Sequence, residues 1–160
     1  MRPFQVFSTM SPERAERFFE RLHEHSPAVF HQSVAAAAAA MKARPAFLRK
    51  RPFSERVKAV RRSLARVGGD AVAEELLAVY FLECRKELLV EWLDTVGVKH
   101  EDGVLAEESP AQPSADALHK SVETFRGADD DEDRELLLAA FAAQGSIEWP
   151  DLEALVTDAG

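Results

Sequence analysis

Residues 35–40 are six consecutive alanines, and no charged residue stands between His31 and Lys42. Alanine has the highest helix propensity and no side-chain rotamers to lose, so such a run is helical. It also restricts the fold. A helix that is apolar nearly all round belongs in an interior, and its small side chains let neighbouring helices approach closely. The stretch "SPAVFHQSVAAAAAAMKA" opens with Ser26 as N-cap and Pro27 at the first helical position. Phe30, Val34, Ala37, Ala38 and Met41 share one side of it at helical spacing. The expectation is a buried packing helix with other helices arranged around it.

The neighbouring segments supply those helices. "SPERAERFFERLHEH" begins with Ser11 and Pro12, and Ala15, Phe18, Phe19 and Leu22 form its apolar face. "RPAFLRKRP" is a short helical turn bracketed by Pro45 and Pro52. "SERVKAVRRSLARVGG" carries the stripe Val57, Val60, Leu64 and Val67, with Gly68 and Gly69 as its stop. Asp70 caps a long helix to Val96, with Leu77, Phe81, Cys84, Leu88 and Trp92 in one stripe and Leu82, Leu89, Leu93 and Val96 in another. Gly97 and Val98 read as a helix stop, and Asp102-Gly103 as a tight turn, which leaves His100 and Glu101 facing solvent in a very short hairpin. Further on, Ser114 caps a helix that turns Leu118, Val122 and Phe125 inward. "ADDDEDRELLLAAFAAQG" starts another, with solvated acids at its N-terminus, and Pro150 opens a last short helix after Trp149.

The expected fold is therefore all-α, a compact bundle of about six helices with a C-terminal helical pair packed on it. A chain of 160 residues fits a single domain over 1–160. The Pro, Ser and Glu content of 106–114 marks a linker between an N-terminal bundle (8–105) and the C-terminal pair (114–157). No apolar run approaches the roughly 20 residues of a membrane span, and the N-terminus lacks the apolar core of a secretory signal. Cys84 has no second cysteine to pair with. The expected location is cytoplasmic. The preference for Arg over Lys and the abundance of Ala fit a GC-rich bacterial coding bias and carry no functional weight.

Charge is unevenly placed. The formal net charge is −8, yet residues 42–66 hold ten basic residues and one acid, while residues 101–160 hold sixteen acids and three bases. Arg49, Lys50, Arg51, Lys58, Arg61, Arg62 and Arg66 form the candidate polyanion-binding set, and Phe47 and Phe53 lie among them where bases could stack. The acidity of the whole chain opposes nucleic acid, and the acidic C-terminal part offers an internal partner of opposite sign.

The familiar catalytic motifs are missing: no phosphate-binding glycine loop, nucleophile elbow or paired CxxC occurs. "HEHSP" falls short of a zinc-protease motif because Pro27 stands where the second histidine would be. Glu20-x-x-His23 has the carboxylate–imidazole spacing of di-metal helical bundles, with Asp116-x-x-His119 as a rough second copy and Glu83, Glu87 and Glu91 as further donors. These are the candidate metal ligands. Adjacent His100, Glu101 and Asp102 cannot readily aim three donors at one point. Cys84 reads as a buried structural thiol. The functional expectation is a non-catalytic interaction or regulatory protein without a cofactor, with a protein partner or self-association. A nucleic-acid or polyanion binder using 42–66 and a metalloprotein around Glu20 and His23 stand as alternatives.

Overall fold

The computed structural model describes residues 1–159, and it is all-α apart from one two-stranded hairpin. Ten α-helices occur among the described residues. None is long and apolar enough to cross a membrane. The chain divides into two compact units, one of residues 3–76 and the other of residues 77–160 with Met1 and Arg2.

The first unit contains α1 (Pro3–Thr9), α2 (Pro12–His25), α3 (Pro27–Ala40), α4 (Pro45–Arg49), α5 (Phe53–Leu64), a 3-10 turn at Val67–Gly69 and most of α6 (Asp70–Val79). Ser11 accepts a hydrogen bond from the Arg14 N–H and so caps α2. The α2 face read from the sequence, Ala15, Phe18, Phe19 and Leu22, is fully buried. The alanine helix α3 is central, touching α2, α4 and α5. Phe7, Phe18, Phe19, Phe30 and Phe53 form a continuous chain of ring contacts through this core.

One helix of this unit is new and two expectations are corrected. Helix α1 was not foreseen: seven residues are too few to display a periodicity, and it is held from outside, with the Phe4 N–H donating to Asp70 Oδ1 at 2.9 Å. The alanine helix is not buried all round. Phe30, Val34, Ala37 and Ala38 face the core, whereas Ala36, Ala39, Ala40 and Met41 are exposed. Helix α5 ends at Leu64 rather than at the glycines, so Val67 is outside the apolar stripe and 59% exposed. Gly69 then lies hard against the end of α5, where a Cβ would run into the Ser63 carbonyl oxygen.

The second unit begins within α6. Tyr80–Cys84 form a π-helical turn, Arg85 leaves the helical region (φ −135°, ψ 42°), and α7 (Lys86–Val96) follows. The single helix expected over 70–96 is thus broken at Arg85. The first apolar stripe survives the break, with Leu77, Phe81, Cys84, Leu88 and Trp92 buried; of the second, Leu89, Leu93 and Val96 are buried and Leu82 is half-buried. Gly97 takes the left-handed conformation (φ 78°) that a helix stop requires, and the Val98 N–H returns to the Leu93 carbonyl at 2.9 Å. Strands β1 (His100–Glu101) and β2 (Val104–Leu105) pair antiparallel about Asp102 and Gly103, both at positive φ. The hairpin is as read, but His100 does not simply face solvent. Its Nε2 lies 2.7 Å from Asp94 Oδ1, and its Nδ1 accepts the Gly103 N–H, so the ring ties the turn to α7.

Helices α8 (Ala115–Arg126), α9 (Asp133–Ala143) and α10 (Pro150–Asp158) complete this unit, with α8 against α7 and α10 against both α8 and α9. Ser114 caps α8 by accepting the Ala117 N–H, and Leu118, Val122 and Phe125 are buried as expected. Trp92, Phe125, Phe141 and Trp149 make the aromatic core. Residues 106–114 have no helix or strand, yet they are tied down. Trp149 Nε1 donates to the Pro110 carbonyl at 2.8 Å, and Gln112 exchanges hydrogen bonds with the Asp151 carboxylate and backbone N–H.

Candidate functional site

Basic residues of the first unit are held in very different ways. Arg61, on the inner side of α5, donates to the carbonyls of Met10 and Ser8 and so satisfies the open C-terminal end of α1. Arg56 lies 5.6 Å from the ring centres of both Phe30 and Phe53. Arg51 covers the Phe47 ring at 4.7 Å and stands 3.8 Å from Glu55. These three cations are engaged within the unit. Arg49, Lys50, Lys58, Arg62 and Arg66 are exposed and form no ion pair among the described residues. Of the two aromatic candidates, Phe47 is 56% exposed, whereas Phe53 packs on Phe30 and His23.

Lys58 and Arg62 stand one turn apart on α5, and Arg66 follows just beyond its end. Two grooves flank this row. One, of about 500 Å³, is bordered by Ser8, Pro12 and Ala15 on one side and by Lys58, Arg62 and Arg66 on the other. The second, of about 600 Å³, runs between α3 and the corner made by the end of α5 and the 3-10 turn. Ala37 and Val60 are buried beneath it, and Ala36, Ala40, Met41 and Val72 are exposed along it. Arg62 and Arg66 border both grooves.

In the acidic half of the chain a few carboxylates at the start of α9 meet two arginines, while most of the other acids are exposed. Arg85, at the break between α6 and α7, pairs with Asp131, Asp133 and Glu87, and Asp133 also accepts from the Tyr80 hydroxyl at 2.7 Å. Burial works against the charge on Arg85, but the hydrogen bonds to Asp131 and Glu87 and the Asp133 charge outweigh it and hold the guanidinium above its ordinary range. Arg134 is 5% exposed. All five of its N–H donors are used, on Asp129, Glu91 and the Phe125 carbonyl, and its guanidinium stacks 4.8 Å from the Phe125 ring centre. The Arg134 hydrogen bond, helped by the Asp131 N–H, lowers Asp129 from 3.8 to about 2. Asp131 is lowered in the same sense, first by its hydrogen bond to Arg85. Of the acids expected to be solvated at the start of α9, Asp129, Asp130 and Glu132 are exposed, whereas Asp131 is half-buried and Asp133 only 1% exposed, both against Arg85. The signal in the sequence was the scarcity of bases there: Arg126 and Arg134 stand almost alone among the acids, and Arg126 pairs with Glu135.

The candidate metal ligands are distributed as follows. Glu20 is exposed on α2. His23 is an edge partner of Phe30, His31 and Phe53, with ring centres 5.1, 5.6 and 6.0 Å away. Asp116 and His119 are exposed on α8 of the other unit, where His119 lies 3.7 Å from Glu123. Glu87 and Glu91 are bound to Arg85 and Arg134, and Glu83 is exposed. Among the described residues, no three His, Cys, Asp or Glu side chains are grouped to hold a metal ion. Cys84 is buried. No family model, no curated protein and no solved structure matches the chain.

Proposed function

We propose that the chain is a non-catalytic interaction protein that binds an acidic partner protein through residues 41–72. One coincidence carries this reading. Seven exposed cations without a carboxylate partner among the described residues, Lys42, Arg44, Arg49, Lys50, Lys58, Arg62 and Arg66, fall in the same stretch as Met41, Phe47, Val67 and Val72, four of the five large apolar side chains left exposed among those residues, whereas only Lys99 and Lys120 are so placed elsewhere. Uncovered apolar side chains rimmed by charge are what a partner surface needs. The first unit also carries thirteen Lys and Arg against eight Asp and Glu, so its own net charge is positive within an acidic chain. The reading requires no cofactor and no membrane, and the location proposed with it is the cytoplasm. A second reading, binding of single-stranded nucleic acid, is favoured by Phe47, an exposed ring beside Arg49, Lys50 and Arg51 that could stack on a base.

The two readings separate when the full chain is titrated with labelled polyglutamate, single-stranded RNA and duplex DNA over a salt series. The first predicts that polyglutamate binds, that salt weakens it, and that the triple variant Lys58→Glu, Arg62→Glu, Arg66→Glu abolishes it. Tighter binding of RNA than of polyglutamate, lost in Phe47→Ala, would favour the second. No binding of any of the three at low salt would overturn both.

A further inference from the structure

We propose that the groove between α3 and the α5 corner receives one amphipathic helix of a partner protein, apolar on the side it buries and acidic along one flank. This rests on the reading above and gives it a place and a partner geometry.

Three features of the groove support it. The α3 side is built from Ala36 and Ala40, which carry no side chain beyond Cβ, so a helix axis can come close. The groove follows α3 from Ser33 to Met41, about 12 Å at helical rise, which accommodates roughly two turns of a docked helix. Met41 and Val72, 48% and 42% exposed, supply the aliphatic contacts that partner residues at i, i+4 and i+7 would cover. The charges choose the partner. Arg62 and Arg66 border the groove, are four positions apart and have no carboxylate of their own among the described residues. They match a pair of Asp or Glu spaced one turn apart on the incoming helix. No acidic residue lines the groove to repay a basic partner.

The experiment uses the full chain and a designed 18-residue amphipathic peptide, about five turns long so that it is helical when bound, with Leu at i, i+4 and i+7 and Glu along one flank. A control peptide carries Gln in place of each Glu. The acidic peptide is expected to bind, and the Gln control to bind about tenfold more weakly. Ala40→Trp fills the groove from an exposed position and should weaken the acidic peptide about tenfold while leaving thermal unfolding unchanged. Gly68→Leu, where a Cβ meets open space, is a second filling variant should Ala40→Trp disturb α3. Arg62→Glu with Arg66→Glu should weaken binding at least as much, and Lys50→Glu by less than about twofold. Equal binding of the two peptides, or full binding by both filling variants, would overturn the proposal. If the acidic peptide binds and Lys50→Glu abolishes it while the filling variants do not, the groove is wrong and the broader reading stands. If no acidic probe binds, both fall. A dimer of the native chain in sedimentation that Ala40→Trp dissociates would make a second copy the occupant and would also overturn the partner proposed here.

Discussion

Arg134 and Arg66 are the same side chain in opposite circumstances. The first is 5% exposed, stacked on Phe125 with every N–H donor used; the second is exposed, borders two grooves and meets no carboxylate among the described residues. The contrast extends to the two regions that hold them. In residues 77–159 the few arginines are fixed points on which an acidic segment is gathered. In residues 3–76 cations outnumber acids, and several remain outward. Charge counts alone treat the two alike. Burial separates them, because a desolvated arginine must have its partners inside the protein, whereas an exposed one is fully served by water.

The largest effect should come from taking the inward arginine away. Arg85→Met takes from Asp133, 1% exposed, its charged partner, and should destabilise the fold by about 3 kcal/mol in urea unfolding. The double variant Arg85→Met, Asp133→Leu should recover part of that loss, since an apolar pair removes the uncompensated charge. Failure to recover any would mean that the ion pair does more than neutralise burial.

Acid probes the same network more gently. Asp129 titrates at about 2 in the folded protein against an ordinary 3.8, and Asp131 is lowered too. A lowered folded-state value means the contribution is complete above the ordinary value and is lost as pH falls from there through the folded one. The urea midpoint should therefore hold down to about pH 4 and drop between about pH 4 and 2. In Arg134→Gln the Asp129 part of that drop should vanish. An identical acid profile in the variant would break the assignment to Asp129.

The smallest effect is expected on the other side of the comparison. Arg62→Ala and Arg66→Ala should each change stability by no more than about 0.5 kcal/mol. Arg61→Ala, one residue away, removes the hydrogen bonds to the end of α1 and should cost about 1 kcal/mol. Equal costs for Arg61 and Arg62 in thermal unfolding would erase the distinction between engaged and outward cations.

Much of this architecture is local and was legible. Ser11 and Ser114 announce their helices, Gly97 and Asp102-Gly103 announce the stop and the hairpin, and the apolar faces of α2, α7 and α8 follow from spacing. What could not be read depends on residues far apart in the chain. Nothing near Arg85 forbids a helix; the break coincides with contacts to Asp131 and Asp133, more than forty positions on. Arg61 and Arg62 are neighbours in sequence, and only the fold puts one against α1 and leaves the other open. The groove was hidden for the opposite reason. A run of alanines looks buried on both sides, and exposure of one side is decided by where α5 ends.

That run has a further consequence for recognition kinetics. Alanine has a single side-chain state, so the part of the α3 wall made by Ala36, Ala37 and Ala40 has the same shape empty or occupied, and no rotamers are frozen there when something lands on it. On this side of the encounter the ordering is then confined to Met41, Arg62 and Arg66, and the rest falls on the incoming segment. A wall of methyl groups also discriminates poorly between aliphatic side chains. Selectivity is left to the two arginines, and a change of flank charge in a partner should alter its choice more than any change in its apolar residues.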